Sequence, residues 1–130
     1  MNQNFPKEEK LKSSKAIERL FSKGQSIVRY PLKVVFLVNP ETSVNRAAFS
    51  VPKRNFKHAV SRNKIKRQMR ENYRLNKHLI AEDEKIKTDL LFVYLGKEMP
   101  KYQNLNEKMI ALLKEVSRYA SQSVDKNKAL

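Results

Sequence analysis

The sequence predicts an α/β fold, an α+β sandwich of one domain in which helices cover a small central sheet. The length of 130 residues suits a single core. A hydrophobic content of 40% is enough to build that core. Helical and extended apolar patterns alternate along the chain in the order α-β-β-α-β-α. The predicted domain covers residues 1–120, and residues 121–130 form a flexible basic tail.

The first half of the chain predicts one short helix and two strands. Apolar residues recur at helical spacing between Ile17 and Phe21, serines suitable for a cap precede them, and Gly24 marks the end of the helix. Residues 32–38 are apolar apart from Lys33 and rich in β-branched side chains, and residues 47–51 form a second, mostly apolar segment. The Asn-Pro-Glu-Thr-Ser turn between these segments predicts an antiparallel pair.

The second half predicts a long helix, a third strand and a final helix. Residues 59–80 contain neither glycine nor proline and keep a helical period. A polar loop follows, and then an apolar strand over residues 90–95, which Gly96 ends. The last helix starts near Asn104, because the spacing from Asn104 to Glu107 is that of a capping box.

The charge of the chain predicts a polyanionic partner. Lys and Arg total 28 against 13 acidic residues, which gives a net charge of +15. Such an excess repels itself in a compact fold unless a polyanion neutralises it. There is no cysteine, no signal-peptide core and no apolar run long enough to span a bilayer, so the predicted location is the cytoplasm. Nucleic acid and an anionic membrane surface remain as partners at this point.

The long helix concentrates this charge. Between Lys53 and Lys77 there are ten Lys or Arg residues and one acid, Glu71. On a helical wheel the apolar side chains gather on one side and the cations on an adjoining face. The apolar side is needed to dock on the sheet, which counts against a membrane helix, so we expect phosphates to bind the cations. The apolar side comprises Ile65, Met69, Tyr73, Leu79 and Ile80, and the adjoining polar side comprises Asn63, Lys66, Arg67, Arg70, Arg74 and Lys77.

A motif at the start of this helix carries a family resemblance. Residues 49–54 read FSVPKR and residues 59–70 read AVSRNKIKRQMR. This segment resembles the signature of the bacterial ribonuclease P protein, in which a strand and a basic pair precede a helix bearing Arg-Asn-x-Ile-Lys-Arg-x-x-Arg. The order of elements agrees across residues 5–120. The resemblance implies a ribosomal protein S5 domain 2-like fold, with a left-handed β-α-β crossover that contains the basic helix.

The resemblance also implies a function. In the family, the RNA subunit cleaves precursor tRNA with RNA-bound Mg²⁺ and so produces the mature 5′ end. The protein binds that catalytic RNA through the basic helix, one protein to one RNA, and lays the 5′ leader along its sheet and first helix. We therefore expect an accessory subunit of an endonuclease, without catalytic residues or a metal of its own. The implied RNA-binding residues are Lys53, Arg54, Arg62, Asn63, Lys64, Lys66, Arg67, Arg70 and Arg74, and the implied leader cleft contains Ile17, Phe21, Phe36 and Phe49.

Four of these positions leave a question open or depart from the family pattern. Alternate residues of a strand face opposite sides, so Phe36 and Phe49 can belong to the cleft or to the core. The family often has Arg where this chain has Lys64, and a lysine cannot form a bidentate fork. The first helix usually presents two phenylalanines, and Ile17 occupies the position of one of them.

Other functions are separated from this one by the motif and by missing chemistry. A ribosomal protein or another structural RNA-binding protein has the same size and charge, and only the motif discriminates against it. A DNA-binding protein would place Asn63 in a major groove, yet no dimerisation element is evident. A protein-only nuclease needs converging groups, whereas His58 and His78 lie about 30 Å apart on one helix. Residues 82–84, three acids that Asp89 could join, are the remaining metal candidate.

Overall fold

The computed structural model describes residues 5–80 and 87–129, with side chains up to residue 120. Within these residues it forms a mixed α+β fold of one four-stranded sheet and three α-helices, which confirms the predicted class. In chain order the elements are a 3-10 turn at Lys7–Glu9, α1 at Ser14–Lys23, β1 at Gln25–Arg29, β2 at Leu32–Val38, β3 at Arg46–Ser50, α2 at Ala59–Asn76, a 3-10 turn at Lys77–Leu79, β4 at Thr88–Tyr94 and α3 at Tyr102–Ala129.

The sheet has the strand order β1-β2-β4-β3. Strand β2 pairs antiparallel with both β1 and β4, and β3 pairs parallel with β4. The predicted antiparallel pair of β2 and β3 is therefore wrong, because β4 lies between them. Strand β1 was not predicted at all. Helix α2 connects the parallel neighbours β3 and β4, and the handedness of this crossover stays a prediction.

One face of the sheet carries the main core, where α2 and α3 pack on it. Phe92, in the central strand β4, is fully buried there. Its ring stacks on that of Phe49 at 5.6 Å between centroids and lies 5.7 Å from that of Tyr73. Helix α2 contributes Ile65 and Met69 beside Tyr73, and all three are fully buried. The predicted apolar side of the helix is thus confirmed as its docking side.

The opposite face carries a second, smaller core under α1. Leu20 of α1 packs there with Val35 of β2 and Leu91 of β4, and Leu11 joins them from the segment before the helix. Ile17 of α1 packs against the same cluster and is half-buried. A single ten-residue helix covers this face, so it is the thinner of the two layers.

Both ends of α1 follow the sequence signals. The Ser13 hydroxyl accepts the backbone N–H of Ala16 at 3.3 Å, as an N-cap does. Gly24 closes the helix, and its N–H donates to the Leu20 carbonyl at 2.9 Å. A Cβ at Gly24 would stand 2.4 Å from that carbonyl oxygen and 3.0 Å from the carbonyl oxygen of Phe36. The glycine is therefore needed because the chain passes so close to α1 and β2.

The other helix boundaries differ from the predicted ones. Helix α2 ends at Asn76, and a 3-10 turn replaces the predicted last turn up to Ile80. Helix α3 begins at Tyr102, two residues before Asn104, and continues through residues 121–129, where the sequence predicts a frayed tail. The flexibility of that end stays a prediction.

The N-terminal segment runs along the outer side of β3. Lys10 forms a parallel bridge with Ala47, and the N–H of Leu11 donates to the Ala47 carbonyl at 2.9 Å. The Phe5 ring lies 6.0 Å from that of Phe49 and 5.6 Å from that of Tyr73, edge to face in both cases. Phe5 therefore anchors this segment to the rim of the main core.

Candidate nucleic-acid interface

Helix α2 turns a row of polar and cationic side chains outward because its other side is buried. Asn63, Lys64, Arg67 and Arg70 are exposed, and Lys66 is half-buried beside them. Among the residues that the structure describes, Lys66, Arg67 and Arg70 have no carboxylate within ion-pair distance. We call Asn63, Lys64, Lys66, Arg67 and Arg70 the basic face. The positive charge of the four Lys and Arg residues of the basic face is available to an outside anion.

Arg62 has a structural contact of its own. One terminal nitrogen of its guanidinium donates to the carbonyl oxygens of Phe56 at 2.7 Å and Lys57 at 2.9 Å. This contact ties the loop before the helix to the first turn of α2, and the loop carries Lys53 and Arg54 as exposed cations. A guanidinium has five N–H donors, so Arg62 still offers donors to an anion beside the loop that it holds.

Two cations near the end of α2 are engaged inside the protein. Arg74 pairs with Glu71 at 2.6 Å, and Lys77 pairs with Glu9 of the N-terminal segment at 2.8 Å. The hydrogen bond from Arg74 holds the pKa of Glu71 below its usual value. The Glu71 hydrogen bond in turn raises the pKa of Arg74. Beyond Arg70, carboxylates partly neutralise the cations of the predicted row. The positive charge of the helix is therefore weaker there.

The α1 side of the sheet has an exposed aromatic and an open strip. Phe21 is 66% exposed, whereas Ile17 points into the second core. The strand register aligns Lys33 of β2, Val93 of β4 and Ser50 of β3 across the sheet. Strand alternation places these three residues on the α1 face, and all three are half-buried. We call Lys33, Val93 and Ser50 the open strip. Sequence reasoning missed Lys33, although its alternation with the buried Val34 would have indicated its face.

The question left open for Phe36 and Phe49 is answered by their direction, because both side chains face the main core. Phe36 is 4% exposed and packs against Tyr119 of α3, with 5.9 Å between ring centroids. Phe49 stacks on Phe92 in the main core. Both side chains point away from α1, because they alternate along their strands with residues of the α1 face. Of the four predicted cleft residues, only Phe21 presents an open aromatic surface on that side.

The acids and histidines that the structure describes do not form a recognisable catalytic group. His58 and His78 flank α2, whose 18 residues span about 27 Å. Asp89 is buried, accepts two hydrogen bonds from Arg46 at 2.8 and 2.9 Å and one from Asn39 at 3.1 Å. Residues 82–84, the predicted metal candidate, lie outside the described residues. Within the described ranges no three His, Asp or Glu side chains come together as a metal site.

No helix in the described part of the chain is both long and apolar enough to cross a membrane.

Comparison with protein families and relatives gives consistent matches. A family model described as Ribonuclease P matches residues 5–117. A protein named Ribonuclease P protein component from Porphyromonas gingivalis is 34% identical over 129 residues, which cover 93% of this chain and 92% of that protein. A protein of the same name from Clostridium botulinum is 32% identical over 114 residues, with 87% and 98% covered.

Solved structures show the same arrangement of the chain. The RNase P protein of Staphylococcus aureus matches with a TM-score of 0.69 and 26% identity, over 82% of this chain and 93% of that one. The RNase P protein of Thermotoga maritima matches with a TM-score of 0.69 and 27% identity, over 82% of this chain and 96% of that one. These matches cover at least 92% of each relative.

Proposed function

The chain belongs to the ribonuclease P protein family, and from this we propose that it is the protein subunit of a cytoplasmic ribonucleoprotein endonuclease that removes the 5′ leader from precursor tRNA. The observation that carries the proposal is the basic face of α2. Its cations have no carboxylate partner among the described residues, and they lie on a helix whose other side is buried in the main core.

The basic face binds the catalytic RNA in this proposal. Each Lys or Arg that neutralises a phosphate releases condensed counterions, which favours binding without reading sequence. Arg67 and Arg70 project from a helix fixed by Ile65, Met69 and Tyr73, so the cations are held in place before RNA arrives. The loop held by Arg62 adds Lys53 and Arg54 beside the first turn. One protein binds one RNA through this surface.

The α1 side takes the single-stranded leader. Single-stranded RNA is bound by cationic grooves with aromatic platforms, because every base has a face that can stack. Phe21 supplies the platform, and the open strip supplies a floor with Lys33 as its cation. The two RNA surfaces therefore lie on opposite sides of one sheet, with the catalytic RNA on one side and its substrate on the other.

The chemistry of cleavage belongs to the RNA subunit and to the Mg²⁺ that it binds. The protein brings two polyanions together, and its net charge of +15 offsets their repulsion. The side chains of the protein position the two RNAs and screen their charge. None of the described histidines and acids are placed to act together on one phosphate.

The test is precursor tRNA cleavage with the protein alone, with ribonuclease P RNA alone, and with both, at low and at high Mg²⁺. We expect no cleavage by the protein alone and strong stimulation of the RNA at low Mg²⁺. The stimulation should shrink at high Mg²⁺, because divalent ions then provide the screening. Cleavage without RNA that is lost on His58→Ala or His78→Ala would contradict the proposal.

A further inference from the structure

A groove at the end of the sheet is not used by the proposed function. It lies between the β1–β2 turn, the segment that follows β4 and the start of α3, and its volume is about 550 Å³. Tyr30 forms one side of it, and Met99 lies in the segment after β4; the two side chains are 64% and 45% exposed. The Tyr30 ring is thus open to solvent beside a cavity.

The charge around this groove is strongly positive. Among the described residues, Lys97, Lys101 and Lys108 line it together with one acid, Glu98. An open tyrosine ring beside several lysines suits a nucleotide, because the ring can stack on a base while the lysines meet the phosphates on either side. The groove volume falls in the range of small-ligand sites, enough for one nucleotide. A purely apolar ligand would leave the lysines without a counter-charge.

The groove is held in shape by internal contacts. The Tyr94 hydroxyl donates to the Glu98 carbonyl at 2.6 Å, and the N–H of Leu95 donates to the Pro31 carbonyl at 2.7 Å. Gly96 lets the chain pass over Tyr94, since a Cβ there would lie 2.5 Å from the Tyr94 hydroxyl oxygen. These contacts fix the segment after β4 against the β1–β2 turn. A preformed site loses less entropy when a ligand binds.

The groove is also connected to the basic face. The Tyr94 ring lies 6.0 Å from that of Phe56, and the Phe56 carbonyl accepts the hydrogen bond from Arg62 at the start of α2. Tyr94 belongs to the main core, on the side of the sheet that α2 and α3 cover. Phe21, the proposed platform for the leader, projects from the opposite side.

We propose that this groove binds one unpaired nucleotide of the catalytic RNA, with Tyr30 stacked on the base and Lys97 and Lys101 against the flanking phosphates. The proposal rests on the proposed function, because it assigns a second contact to the same RNA. It gives the catalytic RNA one contact that depends on a base being unpaired, beside the contacts of the basic face with phosphates.

The test measures binding of the full chain to isolated ribonuclease P RNA, without tRNA. Tyr30→Ala should weaken this binding about tenfold, within the range that stacking on an aromatic side chain contributes. Tyr30→Phe keeps the ring and should bind like the natural chain. Val28→Ala is the control, because Val28 of β1 is an exposed apolar side chain near Tyr30 that does not line the groove. It should leave binding to the isolated RNA unchanged.

A charge variant tests the lysines separately. Lys97→Ala combined with Lys101→Ala removes two cations from the groove. The slope of log affinity against log salt concentration should flatten by about one to two units. An unchanged slope would show that these lysines do not meet phosphates, which would overturn their part in the proposal.

The outcomes separate this proposal from the proposed function. Arg67→Ala combined with Arg70→Ala is the reference for the basic face. If that variant weakens RNA binding and Tyr30→Ala does not, the groove is not an RNA site although the proposed function stands. If the natural chain does not bind the RNA at all, the proposed function itself fails. A Tyr30→Ala loss confined to leader-bearing precursor tRNA would assign the groove to the substrate and overturn the proposal.

Discussion

The two faces of the sheet are built to different depths. On one face, α2 and α3 bury Tyr73, Phe92 and their neighbours in a continuous core. On the other face, α1 covers only a small cluster around Leu20, Val35 and Leu91. The open strip lies beside that cluster and stays half-buried. The stability of the fold thus resides mainly on one face, which leaves the other face free to expose Phe21 and Lys33.

This difference also explains where the cations are. A helix docked on a deep core has one side fixed and one side free, and α2 uses the free side for the basic face. The α1 side offers an exposed aromatic ring, that of Phe21. The two faces therefore suit different parts of RNA: phosphates that need charge, and unpaired bases that need a surface to stack on.

The largest expected effect compares the burial of side chains on the two faces of the sheet, by removing one phenylalanine from each. Phe92→Ala removes a fully buried ring and should lower the free energy of unfolding by about 3–5 kcal/mol. Phe21→Ala removes an exposed ring and should change it by less than about 0.5 kcal/mol. Urea unfolding of both variants measures this. Similar losses for the two would mean that Phe21 is part of the core and not a platform.

The second prediction concerns the substrate. Phe21→Ala should weaken binding of leader-bearing precursor tRNA to the holoenzyme about tenfold, since base–aromatic stacking contributes on the order of 1–3 kcal/mol. Mature tRNA lacks the leader and should bind equally well before and after the change. Equilibrium binding of both RNAs measures this. Equal losses of affinity for the two would show that the leader does not bind on the α1 face.

The third prediction concerns the basic face. Replacing Arg67 and Arg70 with alanine removes two exposed cations, so the slope of log affinity for ribonuclease P RNA against log salt should flatten by about one to two units. The melting temperature should hardly change, because neither side chain is in the core. A variant that binds this RNA with the original slope would show that phosphates are bound elsewhere.

The smallest expected effect concerns Arg74, one helical turn beyond the basic face. Glu71→Gln removes the carboxylate that pairs with Arg74 and should tighten RNA binding about twofold to threefold, on the scale of a surface ion pair. Glu18→Gln is the matched control, because it removes an exposed acid from α1 instead. A gain from Glu18→Gln as large as that from Glu71→Gln would reflect net charge alone.

The sequence predicts one face of this molecule better than the other. Helix α2 was predicted because its 18 residues repeat a helical pattern without a glycine or proline, and burial of Ile65 and Met69 follows from that pattern. Strand β1 was missed because only Ile27 in it is half-buried, so it lacks the alternation that a packed strand shows. The turn that joins β2 to β3 predicts that these two strands pair. In the structure β4, which is distant in sequence, lies between them.

Side-chain direction was the harder part of the site. Alternation shows that Phe36 and Val35 face opposite sides, but it does not show which side α1 will cover. The same limit applies to the ion pair of Lys77, because Glu9 is 68 residues away, whereas the pair of Arg74 with Glu71 follows from their spacing on the helix. Contacts between distant segments decide these details, and no local pattern in the sequence records them.

The N-terminal segment has a consequence for the protein before it meets RNA. Strand β3 is the last strand of the sheet, and an uncovered strand can pair with another copy of the chain and start aggregation. Lys10 and Leu11 cover part of the β3 edge through their contacts with Ala47, and Phe5 anchors the segment by its contact with Phe49. The positive charge of Lys10 further discourages a second copy from approaching. The segment thus leaves less of the β3 edge open to strand pairing with a second copy of the chain.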